Sequence, residues 1–261
     1  MTLHHVSFGE GLPVLSLHGW TPDHRLMSGC LEPVFAALPG YRRLYPDLPG
    51  MGRTPAGAVD SSDQIMAEIR AFIDDQIGDE PFLLIGESYG GYLARGLIAE
   101  RPEQIVGLGL ICPIGTALMR ADRTVPEHVV LRSEPGVLES LTEGEDFTDL
   151  AVVQTAAALK AYRSDIASGL AAADTEALDR IQKNWPLSIA PESGPAYTRP
   201  TLIVCGRQDS VTGFADQYAL LPHYPRATYA VLDVAGHNLQ IEQPELFAAL
   251  IREWLQRASE E

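Results

Sequence analysis

The sequence is short of lysine, cysteine and long apolar runs. Only Lys160 and Lys183 accompany the arginines, giving 19 basic residues against 35 acidic ones and a formal charge of −16. No basic cluster exceeds the Arg42-Arg43 pair. Nucleic-acid binding depends on Lys and Arg neutralising phosphates, so this balance excludes nucleic acid as a partner. Docking on an anionic membrane is excluded by the same charge, and acidity of this size otherwise serves solubility. Cys30, Cys112 and Cys205 are odd in number, far apart and set among apolar neighbours, as in Leu110-Ile111-Cys112. They supply no disulfide or zinc framework and fit reduced core thiols of a cytoplasmic protein. No apolar run reaches the ~18 residues of a membrane span. The start, Met1-Thr2-Leu3-His4-His5-Val6, lacks the basic and apolar segments of a signal peptide.

What remains is an ordinary globular composition, 46% apolar and 21% charged over 261 residues, enough for one large domain or one domain with an insertion. Short apolar runs alternate with amphipathic segments. Strands are expected at Val6–Phe8, Val14–Leu17, Arg43–Tyr45, Phe82–Ile85, Ile105–Ile111, Thr201–Val204 and Tyr229–Leu232. The turn Gly9-Glu10-Gly11 suggests that the first two form a hairpin. Helices are expected near 24–38, after the cap Ser61-Ser62-Asp63, over Tyr92–Glu100, and from Pro244 through Trp254. Near-continuous apolar strands separated by helices imply the α/β class, a mostly parallel open sheet with helices on both faces. The alternation breaks between Gly115 and Pro195, where the Ala-rich Leu150–Leu159 and the segment Asp165–Ile181 read as an all-helical insertion. An acidic group there, Glu143, Glu145, Asp146 and Asp149, has no metal-loop spacing and reads as a solvated face.

The strongest chemical signal is Gly86-Glu87-Ser88-Tyr89-Gly90, placed between an apolar strand and a helix. Gly-x-Ser-x-Gly spacing alone is common, but at such a turn the serine takes strained dihedrals and only very small residues fit two positions away. The turn lifts the Ser88 hydroxyl above the sheet beside free N–H groups of a helix start. A hydroxyl is a poor nucleophile without a base. Of seven histidines, His237 sits in a loop between the last strand and the final helix, where open α/β sheets place their sites. His18, in His18-Gly19-Trp20, better suits a structural role. The base requires a carboxylate to fix its tautomer. Asp209, in the loop after Thr201–Gly206, is preferred; Asp233 and Asp47 compete with it. Acyl chemistry further needs two N–H donors for an oxyanion, for which the Tyr89 and Trp20 amides are the candidates.

The order Ser88, Asp209, His237, the elbow around Ser88 and the His18-Gly19 loop together resemble the α/β-hydrolase superfamily. Asp47-Leu48-Pro49-Gly50-Met51-Gly52-Arg53-Thr54 resembles its early glycine-rich loop, and the resemblance covers nearly the whole chain. It implies a core of residues 1–114 and 196–261, a helical cap at 115–195, and a short N-terminus that costs a first edge strand. The activity implied is hydrolysis of a small carboxylic ester by two-step acyl transfer through Ser88, His237 and Asp209, with Trp20 and Tyr89 as oxyanion donors. The substrate is a small molecule; no cofactor and no metal enters, and no oligomeric state is specified. A serine nucleophile disfavours epoxide or haloalkane hydrolysis. Carbon–carbon bond hydrolysis and lactone hydrolysis stay open, although Asn238 stands where ring-cleavage hydrolases carry tryptophan soon after the histidine. A ligand-binding receptor on the same fold is the reading from another class. Met119, Phe147, Leu150, Trp185 and Leu187 are candidates to line an apolar pocket, or to fill the core of the cap.

Overall fold

The computed structural model describes residues 2–260; Met1 and Glu261, the outer ends of the two expected core segments, lie outside them. Strand β1 (His5–Phe8) is followed by β2 (Leu12–Leu17), helix α1 (His24–Phe35), β3 (Tyr41–Pro46), α2 (Ser62–Gln76), β4 (Phe82–Glu87), α3 (Ser88–Glu100) and β5 (Ile105–Ile111). After a long excursion come β6 (Thr201–Gly206), β7 (Ala227–Leu232) and a final helix, α4 (Pro244–Ser259). The seven strands lie in the order β1-β3-β2-β4-β5-β6-β7. All pair in parallel except β1, which runs antiparallel along β3.

That edge corrects one expectation. β1 does not form a hairpin with β2; it pairs with β3, His5 opposite Pro46 and Phe8 opposite Arg43. The Gly9–Gly11 turn carries the chain past β3, so β3 is sandwiched between the two strands joined by that turn. Gly11 has φ +115°, and a Cβ there would stand 2.1 Å from the Gly40 carbonyl oxygen. The turn therefore closes only because glycine leaves room for Gly40.

Alternation along the strands gives the sheet two apolar faces. Leu15, Leu17, Leu84, Leu108, Leu110 and Ile203 join Ile65, Ile69, Ile73, Leu93 and Leu97 of α2 and α3. Val14, Leu83, Ile85, Leu202 and Val204 join Met27, Leu31 and Val34 of α1 and Phe247, Ile251 and Trp254 of α4 on the other face. Ser61 caps α2, accepting the Gln64 N–H, and α3 begins at Ser88, four residues before its expected start.

Residues 112–200 leave the sheet and return to it. This stretch is not purely helical: Arg132–Ser133 pairs in parallel with Val153–Gln154, inside and before a run expected to be one helix. The true helix there is Ala156–Tyr162, opened by the Thr155 side chain accepting the Ala158 N–H. A single-turn π-helix, Arg163–Ala167, then leads into Ser168–Leu170, and Thr175–Gln182 follows as a separate helix. The two roots of the excursion meet at Arg95, buried on α3. Its guanidinium donates to the carbonyls of Ile114 and Gly115 and makes a two-pronged pair with Glu192 at 2.6 and 2.7 Å.

Candidate active site

Among the described residues four non-glycine residues have positive φ: Thr21 (84°), Ser88 (50°), Cys112 (41°) and Val234 (55°). Each follows the carboxyl end of a strand, β2, β4, β5 and β7 respectively. Such conformations cost about 1–3 kcal/mol each and persist only where surroundings impose them. For Ser88 the surroundings are visible. A Cβ on Gly86 would lie 2.4 Å from the Gly90 carbonyl oxygen, and one on Gly90 would lie 2.3 Å from the Leu17 carbonyl oxygen. Glycine on both sides thus lets β4 turn directly into α3 with Ser88 at the apex.

His237 lies in the loop after β7 and Asp209 in the loop after β6. The structure brings both to Ser88: His237 Nε2 is 3.0 Å from Ser88 Oγ, and His237 Nδ1 is 2.9 Å from Asp209 Oδ2. An ionised carboxylate only accepts, so Nδ1 carries the proton and faces Asp209, while the second nitrogen faces the hydroxyl. Asp209 is wholly buried and accepts further bonds from the N–H groups of Val211 and Thr212 and from the Thr212 hydroxyl. Burial alone would push its carboxyl up, but the His237 charge and these donors hold it below the usual carboxylate range. For His237, burial favours the neutral ring; the carboxylates of Asp209 and Glu87 outweigh it and lift the imidazole to about 9.

The competing carboxylates are engaged elsewhere. Asp233 receives Gln208 Nε2 at 2.8 Å. Asp47 accepts from His4 Nδ1, His24 Nδ1 and the His24 and Arg53 N–H groups. Buried His18 donates from Nδ1 to the Gly19 carbonyl, and its Nε2 accepts the Leu48 N–H. Burial keeps it neutral, its pKa lowered, and the ring ties the Gly19 loop to the Asp47–Leu48 loop, the structural role expected of it. Among the described residues two groups of side chains, His4-His24-Asp47 and Cys112-Asp209-His237, hold donor atoms within 4.8 Å of one another, as a metal site would. In both, the carboxylate's lone pairs are already taken by histidine and backbone N–H donors, which leaves poor metal ligands.

Tyr89 occupies the first turn of α3, where an N–H has no acceptor within the helix. Its ring stacks on Trp185 at 4.4 Å, and its hydroxyl contacts Ser62 Oγ. Trp20 lines a cavity of about 370 Å³ that also contains Ser88 and His237. Phe147 and Leu150 line it, with Leu26, Tyr162, Ile166 and Leu170. Met119 and Trp185 do not. Met119 is 50% exposed at the surface. Trp185 stands behind Trp20, edge-on at 4.6 Å, in the aromatic cluster with Tyr89, where ring–ring contacts hold it away from the cavity. Leu187 packs over Gly96 and donates its N–H to Tyr92 Oη. Of the acidic group, Asp146 and Asp149 line the cavity, whereas Glu145 pairs with Arg163 at 2.6 Å and Glu143 is exposed.

Three polar residues at the site escaped the sequence reading. Thr212 buttresses Asp209. Glu242, buried, accepts N–H bonds from Val152, Val153 and Gly236. Glu87 lies 3.3 Å from His237 Nε2. The available signal for Glu87 was a carboxylate at the end of an unbroken apolar strand, where burial is assured.

A model of the Alpha/beta hydrolase family matches residues 14–250. A pimeloyl-[acyl-carrier protein] methyl ester esterase of Shewanella woodyi is 27% identical over 98% of both chains. A 2-hydroxymuconate semialdehyde hydrolase of Pseudomonas putida is 26% identical over 96% of this chain and 89% of its own. Among solved structures, an alpha/beta superfamily hydrolase from Oenococcus oeni PSU-1 superposes with a TM-score of 0.91 at 29% identity, covering 98% of this chain and 96% of that one. With the family model spanning most of its length and the strand order and elbow already in place, the chain belongs to the alpha/beta hydrolase family.

Proposed function

We propose that this protein is a serine hydrolase of small carboxylic esters, working through an acyl-enzyme on Ser88. The observation that carries the reading is the continuous line Ser88–His237–Asp209, at 3.0 and 2.9 Å, opening on a cavity of about 370 Å³. His237 takes the Ser88 proton as Oγ attacks the acyl carbon, and Asp209 stabilises the imidazolium that forms. The Trp20 and Tyr89 amides receive the developing oxyanion. The imidazolium then protonates the leaving group, and water enters by the same route with His237 again as base. The apolar wall of Leu26, Phe147, Leu150 and Ile166 suits an acyl chain.

Residues 115–195 act as the cap that selects substrate, and three unpaired thiols suit a reducing, cytoplasmic setting. No described helix is long and apolar enough to cross a membrane. The esterase relative supports ester hydrolysis; the 2-hydroxymuconate semialdehyde hydrolase supports carbon–carbon hydrolysis by the same groups as a second reading. A fluorophosphonate probe should label Ser88 and nothing else, and Ser88→Ala should abolish turnover of p-nitrophenyl acetate. Labelling at another residue overturns the assignment. Fast turnover of 2-hydroxymuconate semialdehyde with negligible ester turnover selects the second reading.

A further inference from the structure

Among the described residues, the mechanism above leaves one buried carboxyl of the cavity without a task. Glu87, immediately before the nucleophile, is 3% exposed and lines the cavity. Its Oε1 stands 3.3 Å from His237 Nε2, the nitrogen that also faces Ser88 Oγ at 3.0 Å. Its Oε2 rests against Gly19, where an added Cβ would come within 2.1 Å, and the Gly19 N–H donates to the carboxyl. Among the described residues its ion-pair partner is His237 and no Arg or Lys. The imidazole is therefore bracketed, Asp209 on Nδ1 and Glu87 on Nε2.

A buried carboxyl whose cationic neighbour is an imidazole has two arrangements: glutamate with imidazolium, or glutamic acid with neutral imidazole. Only the neutral ring has a lone pair for the serine proton. We propose that Glu87 is a second acid–base partner of His237, one that holds the resting base protonated and takes that proton when the serine attacks. The steps balance. In the resting pair the proton is on Nε2; it moves to Glu87 Oε1 and frees the lone pair. The Oγ–acyl bond then forms while the serine proton passes to Nε2, and the leaving group departs with that proton. After deacylation the proton on Oε1 returns to Nε2.

The other charges around the pair are Asp209 and Arg123 near His237, with Arg123 opposing protonation, and Asp209 near Glu87. The Cys112 thiol stays protonated, its pKa pushed up by burial, as does that of Cys30. Arg120, Asp146 and Asp149 face the same cavity. Burial pushes the Glu87 carboxyl up to about 7 despite the opposing charge of His237, which puts both arrangements within reach near neutrality.

This rests on His237 being the base of Ser88, and the test separates the two. The pH profile of kcat/KM for p-nitrophenyl acetate is compared in wild type and Glu87→Gln, whose amide can still accept from Gly19. The acid limb should move up, because the variant imidazole must lose its proton to solvent whereas the wild-type pair passes it to Glu87, while the alkaline rates, with the imidazole neutral in both, differ by less than about tenfold. Variant and wild type then differ more at pH 6 than at pH 9, whereas a downward shift of the limb marks a carboxylate that acts by its charge alone and overturns the proposal. An unmoved limb, or a loss equal at every pH, overturns the proposal. NMR titration of the His237 ring in the wild type needs neither turnover nor a foldable variant. Two steps, one from each member of the pair, are expected; a single step refutes the coupling even if Ser88 proves to be the nucleophile.

Discussion

Removing the Glu242 carboxylate should damage stability and catalysis by separable amounts. Its Oε1 accepts the Val152 N–H at 2.7 Å and the Val153 N–H at 3.2 Å, and its Oε2 accepts the Gly236 N–H. One buried side chain thus joins the 112–200 excursion to the residue preceding His237. Glu242→Ala strands three buried donors, each worth about 1–3 kcal/mol if left unsatisfied. Water admitted to the vacated space recovers much of that, so the net loss is about 3 kcal/mol. At about 2–4 °C per kcal/mol for a chain of this size, Tm falls by about 6–12 °C. Catalysis suffers separately, since a base displaced by about 1 Å loses about a hundredfold. Glu242→Gln tells the two apart. Its carbonyl oxygen can still accept from Val152 and Val153, but its NH₂ meets the Gly236 N–H donor to donor. We expect kcat to fall at least tenfold while most of the Tm is kept. Differential scanning fluorimetry and p-nitrophenyl acetate kinetics read both quantities. If Glu242→Ala keeps its Tm within about 2 °C and its kcat within twofold, the bridge is idle and the reasoning fails.

Three further outcomes follow from the same geometry. Asp209→Asn should cost about 10³–10⁴ in kcat by presenting the wrong partner to Nδ1, whereas Asp233→Asn, whose carboxylate meets Gln208, the Val234 N–H and solvent, should leave kcat unchanged; the reverse result reassigns the acid. In Glu87→Gln the imidazole has to lose its proton to solvent while Asp209 still raises its pKa, so kcat/KM of that variant should climb through a midpoint above 6.5. In the wild type the raised imidazole pKa stabilises the fold fully below the unfolded imidazole pKa, and that stability is lost as pH rises through about 9, so Tm should decline across that interval, and less so in His237→Gln. Asp146→Asn with Asp149→Asn should raise kcat/KM for an anionic ester over a neutral one severalfold, because both carboxylates line the cavity; Glu143→Gln, on an exposed side chain, is the control that should leave the ratio flat.

Local signals carried most of the architecture. The strand Ile105–Ile111 and the Ser61 cap stand where the sequence puts them, because seven consecutive apolar or glycine residues and a serine before a periodic run leave few alternatives. The elbow was legible for a similar reason: Gly86 and Gly90 meet backbone oxygens, which side-chain repacking cannot relieve. Partner choice was not legible. β1 pairs with β3 rather than β2, and nothing within residues 5–17 records the edge β3 offers. The two-residue pairing of Val153–Gln154 is too short to imprint a period on an Ala-rich run. Trp185 and Phe147 are equally apolar in sequence, yet one fills an aromatic cluster and the other a cavity wall, a division decided by neighbours distant along the chain. Glu87 carried only the faint signal of a carboxylate at the end of an apolar strand, because the Gly-x-Ser-x-Gly spacing constrains the small residues and the nucleophile and says nothing of His237 standing opposite it.

The guanidinium of Arg95 grips both roots of the excursion, the carbonyls of Ile114 and Gly115 at its start and Glu192 at its end. Geometrically this makes the roof of the cavity a handle whose two ends share one rivet on the helix that begins with Ser88, with Glu242 pinning its middle at Val152 and Val153. Stretches between these fastenings can change length and shape without altering where the chain leaves and rejoins the sheet. A graft that keeps residues 114–115, 152–153 and 192 in place inherits the nucleophile's setting while replacing much of its ceiling.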